Sequence, residues 1–116
     1  MIESIPRFLQ GAFEFEGYGL MDPRPLARDQ WYTVPSDRRA QLVYLRAGNS
    51  SDELVYLLLT RDGVAMRYFP IGARSAMHVP LVVLEDIEPD ATIELLIAAP
   101  KGVSGTLVVD LGLHEI

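Results

Sequence analysis

The two histidines, His78 and His114, are the residues best suited to bind a metal ion or to move a proton. His114 shares a predicted strand face with Asp110, but four residues of extended chain span roughly 13 Å, too far for a hydrogen bond or a shared metal ion. His78 follows Met77 and could form a copper(I) site with it and with Met66. Because a loop-edge histidine beside core methionines explains the same residues, we expect no metal and no cofactor.

An acidic stretch around Pro89 is the second candidate for chemistry, and it consists of Glu85, Asp86, Glu88 and Asp90. Paired carboxylates can act as acid and base in glycoside hydrolysis, or they can bind calcium. The chain has neither a Gly-x-Ser-x-Gly nucleophile motif nor a phosphate-binding glycine loop. We therefore expect a protein that is not an enzyme, and a small cupin-like or metal-dependent enzyme stays open as an alternative.

Aromatic rings near arginine and asparagine are the third candidate, and they indicate binding rather than catalysis. A sugar ring stacks its apolar face on an aromatic side chain and forms hydrogen bonds at its edge. The same residue types are enriched in protein interfaces, so the pattern alone does not separate the two ligand classes. The candidate ligand-binding residues are Trp31, Tyr32, Arg46, Asn49, Arg67, Tyr68, Arg74 and His78.

Several predicted strands are apolar on both faces, which is unusual for a sheet with one solvent-exposed face. In residues 53–60, one face carries Leu54, Tyr56 and Leu58, and the other carries Val55, Leu57 and Leu59. Residues 40–47 and 78–84 share this character, with Leu42 and Tyr44 expected on one face of the former. An open apolar face promotes association unless it is covered. The expected interface residues are Tyr44, Leu54, Tyr56, Leu58 and Val82.

The elements that carry these residues are predicted to be strands, because no helical spacing is sustained and β-branched residues are frequent. The strands are expected at residues 13–16, 31–34, 40–47, 53–60, 64–70, 78–85, 92–99 and 106–113. Residues 1–10 form either a first strand or a flexible arm. The loops 19–30 and 71–77 are expected to be contact elements.

Turn residues predict how some of these strands connect. Asp62-Gly63 between two apolar runs indicates a tight hairpin, because both residues tolerate a positive φ angle. Residues 92–99 and 106–113 are expected to pair across the segment 100–105. Pro80 lacks an N–H donor, so its strand is expected at a sheet edge or at a bulge.

Composition narrows the classes of partner. The chain has 116 residues, 49% of them hydrophobic, no cysteine and a net charge of −6. An acidic chain is a poor match for nucleic acid or for an anionic membrane surface. The missing cysteine and the lack of a visible secretory signal predict a cytoplasmic location.

One known family has a similar layout. The run Tyr32-Thr33-Val34-Pro35, residues 42–49, the Asp62-Gly63 turn and the closing segment 107–113 resemble galactose-binding-like sandwiches of the carbohydrate-binding-module type. The resemblance implies a β-sandwich fold and adds little about function, because one fold serves many functions.

The sequence therefore predicts an all-β chain, a single-domain antiparallel β-sandwich of about eight strands with jelly-roll character over residues 1–116. Its expected function is that of a non-catalytic binding or assembly module, either a homo-oligomer or a small subunit of a larger complex, with an apolar sheet-face interface. A carbohydrate-binding module is the first alternative. A monomer whose two-sided apolar strands are all covered internally is another.

Overall fold

The protein, seen in a computed structural model that describes residues 4–26, 31–81 and 86–116, is built from nine β-strands. In chain order they are β1 (Ile5–Glu16), β2 (Arg24–Pro25), β3 (Trp31–Thr33), β4 (Ala40–Asn49), β5 (Val55–Arg61), β6 (Val64–Ile71), β7 (Ala76–Pro80), β8 (Thr92–Ala98) and β9 (Ser104–Glu115). The described residues contain no helix long and apolar enough to cross a membrane. Val82, an expected interface residue, lies outside the described residues.

The strands form two antiparallel sheets. The four-stranded sheet has the order β1-β9-β4-β7, and the five-stranded sheet has the order β2-β8-β5-β6 with β3 also paired to β8. The two sheets pack face to face over one apolar core, so the all-β sandwich predicted from the sequence is confirmed. The predicted number of about eight strands is close to the nine observed, two of which have three residues or fewer.

The core is made mostly by alternate residues of the long strands. In β9, Leu107, Val109, Leu111 and Leu113 are buried in it, as the alternation of the sequence predicts. The facing sheet contributes buried leucines and isoleucines from β5 and β8. This alternation also determines which residues point outward, and those outward residues form the surfaces described below.

The predicted pairing of the last two long strands is wrong. β8 pairs with β5, β2 and β3, whereas β9 pairs with β1 and β4, so the two strands lie in different sheets. The segment between them crosses from one sheet to the other. Both strands have an apolar inner face, and these faces pack against each other across the core.

The predicted face assignment in β4 is also wrong. The register against β9 shifts between Leu42 and Tyr44, so the strand contains an irregularity at Val43. Leu42 and Leu45 are both buried in the core, while Tyr44 points to the opposite side. A bulge adds one residue to a strand and reverses the alternation beyond it, which a period-two pattern does not anticipate.

Other local predictions are confirmed. Asp62 and Gly63 have φ angles of 50° and 81° and join β5 to β6 as a tight hairpin. Pro80 lies in β7, an edge strand of its sheet. Residues 5–10 belong to β1, which pairs along its whole length with β9. The predicted loop 71–77 is shorter than expected, because β7 begins at Ala76.

One polar bridge joins the two sheets at an end of the sandwich. Glu115 of β9 is buried, and it accepts hydrogen bonds from Tyr32 Oη and from Arg7 Nε, the latter at 3.1 Å. Burial opposes ionisation of Glu115, but the hydrogen bonds from Tyr32 and Arg7 and the charges of Arg7 and Arg38 hold its pKa below the usual value. Burial and the contact with Glu115 raise the pKa of Tyr32.

Candidate functional site

The outer face of the five-stranded sheet is apolar and aromatic, and we call it the aromatic face. Two of its rows follow from the strand register: Pro70, Tyr56 and Ala98 form one, and Tyr68, Leu58, Leu96 and Pro25 form the next. Trp31 lies beside Glu94 in a third row. Among the outward-facing residues that the structure describes on these strands, Glu94 alone carries a charge.

The aromatic face has exposed rings at its margins and covered residues at its centre. Tyr68 is 61% exposed and Trp31 is 50% exposed, whereas Leu58 between them is 6% exposed. Leu58 is covered by its neighbours on the face, since it does not belong to the inner core cluster. The rings of Tyr68 and Tyr56 lie 5.5 Å apart between centroids, with their planes 59° apart. Such a surface resembles the centre of a protein interface.

The predicted contact loop at residues 19–30 borders the aromatic face over its described part. Tyr56 Oη donates a hydrogen bond to the carbonyl of Leu20 at 2.6 Å. Met21 at the tip of this loop is 95% exposed. Burial and the neighbouring Tyr68 ring raise the pKa of Tyr56 above its usual value. The loop therefore extends the apolar surface beyond the sheet, and residues 27–30 of the prediction lie outside the described residues.

The outer face of the four-stranded sheet has a different character, with a cluster of polar side chains at its centre. Arg46 of β4 lies directly between Asp110 of β9 and His78 of β7 in the register. Tyr44, the preceding outward residue of β4, completes the group. We call Tyr44, Arg46, His78 and Asp110 the polar cluster.

Tyr44 connects the members of the polar cluster. Its hydroxyl donates a hydrogen bond to Asp110 Oδ1 at 3.0 Å, and the Arg46 guanidinium lies 5.0 Å from its ring centroid. The His78 ring meets it edge-on, at 6.1 Å between centroids. Burial and the hydrogen bond to Asp110 raise the pKa of Tyr44. The ring therefore holds a cation, an anion and an imidazole side by side at the surface.

A glycine determines where the Tyr44 ring lies. Gly112 of β9 stands directly beside Tyr44 in the register, and a Cβ atom placed on it would come within 2.1 Å of Tyr44 Cε2. The ring therefore lies over the bare backbone of β9. Phe8 of β1 flanks the same glycine on its other side and is 54% exposed. Two aromatic side chains thus border the polar cluster across one glycine.

The predicted ligand-binding residues do not form one site. Arg46 and His78 meet in the polar cluster, whereas Trp31 and Tyr68 lie on the aromatic face of the other sheet. Tyr32 points inward to Glu115, so the prediction that one member of the Trp31–Tyr32 pair faces inward is confirmed. The same holds for Tyr68 and Phe69, because Phe69 is buried in the core.

Two other predicted ligand residues have local partners. Asn49 is buried, and its amide nitrogen donates to the carbonyls of Glu53 and Gly72 while its oxygen accepts from Ser51. Its polar groups are used by the backbone around it, so Asn49 holds a turn together and has no group left for a ligand. Arg74 forms an exposed ion pair with Asp52 at 2.5 Å.

The expected interface residues divide between both sheets. Tyr56 and Leu58 lie on the aromatic face, and Tyr44 belongs to the polar cluster on the opposite side of the sandwich. Leu54 lies in the loop before β5 and is 47% exposed. A single apolar interface can therefore contain Tyr56 and Leu58 but not Tyr44.

The acidic residues around Pro89 do not converge. Asp86 accepts a hydrogen bond from Gln41, Asp90 accepts one from Ser36, and Glu88 pairs with Arg61 at 3.5 Å. Glu85 lies outside the described residues. In the part of the chain that the structure describes, no three histidine or acidic side chains lie close enough to hold a metal ion. Met77 and His78 point to opposite faces of β7, so they cannot share a metal ion.

Sequence reasoning missed Phe8 and the role of Asp110. Phe8 has no clear signal in the sequence, because Phe8 and Leu9 are both apolar and successive apolar residues do not indicate which one faces the core. Asp110 was expected on the outer face of β9, as it is, but nothing in the sequence places it opposite Arg46. That neighbour relation depends on the pairing of β4 with β9, which is a long-range contact.

Comparison with known proteins gives no family for this chain. No protein-family model matches it, and no curated protein matches it. Among solved structures, the crystal structure of PirA is similar with a TM-score of 0.49 and 6% sequence identity, covering 96% of this chain and 94% of that chain. A likeness at this level carries no argument about function, so the function is argued from the surfaces alone.

Proposed function

We propose that this protein is a non-catalytic binding module that associates with a second copy of itself through the aromatic face. One observation carries the proposal: two adjacent rows of outward-facing residues on the five-stranded sheet are apolar across every strand that they cross. Tyr68 and Trp31 expose large rings there, and Leu58 and Leu96 lie between them. Burial of this surface removes apolar area from water, which favours association.

The charge distribution makes the aromatic face the surface where a second copy meets the least repulsion. Each chain carries a net charge of −6, so two copies repel each other over most of their surfaces. Among the described residues, the aromatic face holds a single charged side chain, Glu94, which lies between Trp31 and Thr60 in the third row and outside the two apolar rows. A two-fold axis that runs parallel to the strands, between Leu58 and Leu96, would bring Tyr68 near the partner's Trp31, because the two rings lie on opposite margins of the face. We also propose that the protein acts in the cytoplasm.

The test is the solution mass, measured by light scattering on a size-exclusion column at two protein and two salt concentrations. We expect a stable multiple of the 12.9 kDa chain mass that does not respond to salt, because the interface contains almost no charge. Tyr68→Asp should reduce the mass to that of the monomer. Val108→Asp is the matched control, since Val108 is 55% exposed on the other sheet.

Two results would contradict this proposal. One is a wild-type monomer at every concentration, which would mean that the aromatic face is open in solution. The other is an equal loss of mass in Tyr68→Asp and Val108→Asp, which would mean that the interface is not confined to the five-stranded sheet.

A carbohydrate-binding module is the second candidate, and the polar cluster favours it. Phe8 and Tyr44 offer aromatic surface beside Arg46, His78 and Asp110, which together provide hydrogen-bond donors and acceptors in one row. Sugar rings need this combination of an apolar platform and polar groups at its edge. The site is separate from the aromatic face, so both functions can exist in one chain.

The carbohydrate candidate is tested by NMR titration with neutral and acidic monosaccharides at millimolar concentration. We expect saturable shifts at the backbone amides of Arg46 and Asp110, and their loss in Arg46→Met. Arg74→Met is the control, because Arg74 is an exposed arginine in a loop outside the cluster. Absence of saturable shifts for every sugar would end this candidate without affecting the association proposal.

A further inference from the structure

A groove opens along one side of the sandwich, where an edge strand of each sheet meets the other. Strand β6 is an edge of the five-stranded sheet and β7 is an edge of the four-stranded sheet. Between them lies a cavity of about 330 Å³. This volume falls at the lower end of the roughly 300–1,000 Å³ that small-molecule sites occupy.

The groove is apolar apart from one cation. Its lining comprises Arg67, Tyr68, Phe69, Pro70, Met77, Val79, Pro80 and Leu81. Phe69 and Leu81 are buried at its floor, and Met77 and Val79 are half-buried on its wall and pack against the core. An elongated apolar trough of this kind suits an aliphatic chain, and the five residues from Met77 to Leu81 span roughly 13 Å.

Arg67 is an exposed cation at the rim of this groove. In the register it stands beside Leu59, whose side chain belongs to the core, so Arg67 lies on the groove side of β6 and not on the aromatic face. Within the described residues, its guanidinium has no carboxylate partner. An arginine with no carboxylate partner in the described part of the chain, placed beside an apolar trough, is complementary to an apolar ligand that ends in an anion.

Two prolines argue against an added peptide strand as the occupant. Pro70 lies in β6 and Pro80 lies in β7, so each edge that borders the groove lacks the N–H donor at its proline. A peptide that extends a sheet depends on those backbone donors. An aliphatic ligand requires no backbone hydrogen bonds from the groove.

We infer that this groove binds a linear aliphatic carboxylate, with the hydrocarbon chain between β6 and β7 and the carboxylate on Arg67. The apolar walls provide affinity through burial of methylene groups. Arg67 sets the orientation of the ligand by donating hydrogen bonds to its carboxylate. The inference is independent of self-association and of the polar cluster.

The test is an NMR titration of the full chain with decanoate below its micelle concentration, with acetate and decanol as comparison ligands. We expect saturable shifts at the backbone amides of Phe69, Met77, Val79 and Leu81. Acetate should produce none, because it has no chain to bury. Decanol should bind roughly five- to tenfold more weakly than decanoate, because it lacks the charge for Arg67.

Two variants test the two parts of the site separately: the contact of Arg67 with the carboxylate, and the contact of the groove with the hydrocarbon chain. Arg67→Gln should weaken decanoate binding to the level of decanol, whereas Arg39→Gln, an exposed arginine at the end of the sandwich, should leave it unchanged. Val79→Trp should abolish binding by filling the groove. Folding of each variant is checked by its amide spectrum, and its mass by light scattering, since Tyr68 borders both this groove and the aromatic face.

Three results would overturn the inference. They are equal affinities for decanoate and decanol, equal losses in Arg67→Gln and Arg39→Gln, and shifts that map to Leu58 or Val108 in place of the groove residues. None of these results bears on the association proposal, which depends on the mass of the unliganded protein.

Discussion

The two outer faces of this sandwich come from segments that look alike in the sequence but differ in three dimensions. Residues 40–47 and 53–60 both have apolar side chains at successive positions. In β5, Tyr56 and Leu58 do point outward and create an aromatic face. In β4, the irregularity at Val43 turns two leucines inward and leaves Tyr44 and Arg46 outside.

The comparison teaches that two-sided hydrophobicity indicates an apolar outer face only where the strand keeps its alternation. A bulge places successive apolar residues on the same side and so mimics a strand that is apolar on both faces. The resulting surfaces differ in their chemistry. The aromatic face suits a protein surface, and the polar cluster suits a small polar ligand.

The largest expected effect on stability comes from breaking the polar bridge at Glu115, which joins the two sheets at one end of the sandwich. Glu115→Gln should lower the free energy of unfolding by roughly 2–3 kcal/mol, because Arg7 and Tyr32 lose a buried charged partner. Urea unfolding followed by Trp31 fluorescence measures this. The control Glu14→Gln, at an exposed position of β1, should change stability by no more than about 0.5 kcal/mol. Equal effects of the two variants would remove Glu115 as the link between the sheets.

The same bridge predicts how stability depends on pH. The pKa of Glu115 in the folded chain lies below its usual value of 4.5, so the folded state binds this proton less readily than the unfolded state. Its stabilising contribution is therefore present above about pH 4.5 and is lost as the pH falls through the lowered pKa. Unfolding of the wild type and Glu115→Gln between pH 7 and pH 3 should show a difference that shrinks with acidity. A difference that stays constant would contradict this assignment.

The second effect concerns only the outer face of the four-stranded sheet, where the polar cluster lies. Gly112→Ala should cost about 1–3 kcal/mol and displace the Tyr44 ring, because the new Cβ would overlap it. Gly48→Ala, on the neighbouring strand, has Ala76 Cβ as its nearest atom at 3.9 Å and should be tolerated. Thermal unfolding compares the two. Because Gly112 lies on the sheet opposite the aromatic face, Gly112→Ala should leave the association state unchanged. A loss of association in this variant would contradict the proposed separation of the two faces.

Two matched Tyr→Phe variants test the two outer faces separately, and each should lower the free energy of unfolding by about 1 kcal/mol. Tyr44→Phe removes the hydrogen bond to Asp110, and Tyr56→Phe removes the one to the Leu20 carbonyl. Tyr56→Phe should also speed amide exchange at Asp22, in the loop that Tyr56 holds, while Tyr44→Phe should not. Faster exchange at Asp22 in both variants would mean that the faces are coupled through the core.

The smallest effect is spectroscopic. Trp31 is the only tryptophan of the chain and lies half-exposed on the aromatic face. Dilution of the associated wild type should shift its emission to longer wavelength as the ring enters water. Tyr68→Asp should show the shifted emission at every concentration. An emission maximum that is independent of dilution in an associating protein would place the interface away from this face.

Much of the local structure was predictable from the residues. Period-two patterning and turn chemistry predict the alternation in β9 and the Asp62-Gly63 hairpin. They also predict that Pro80 lies at an edge or a bulge, and that the two members of each aromatic pair face opposite sides, without saying which member faces inward. The site was less predictable. Arg46 and His78 were both candidates, but their adjacency depends on β4 pairing with β7, a contact that no local pattern encodes.

The sequence by itself determined the fold class, the inner face of most strands and the acidic, cysteine-free character of the surface, because these depend on composition and on spacing between near neighbours. Only the tertiary structure decided which strands share a sheet, where the β4 bulge reverses the alternation, and which side chains become neighbours on each face. Pairing between distant strands depends on how all the apolar faces pack together at once, so no single segment specifies it.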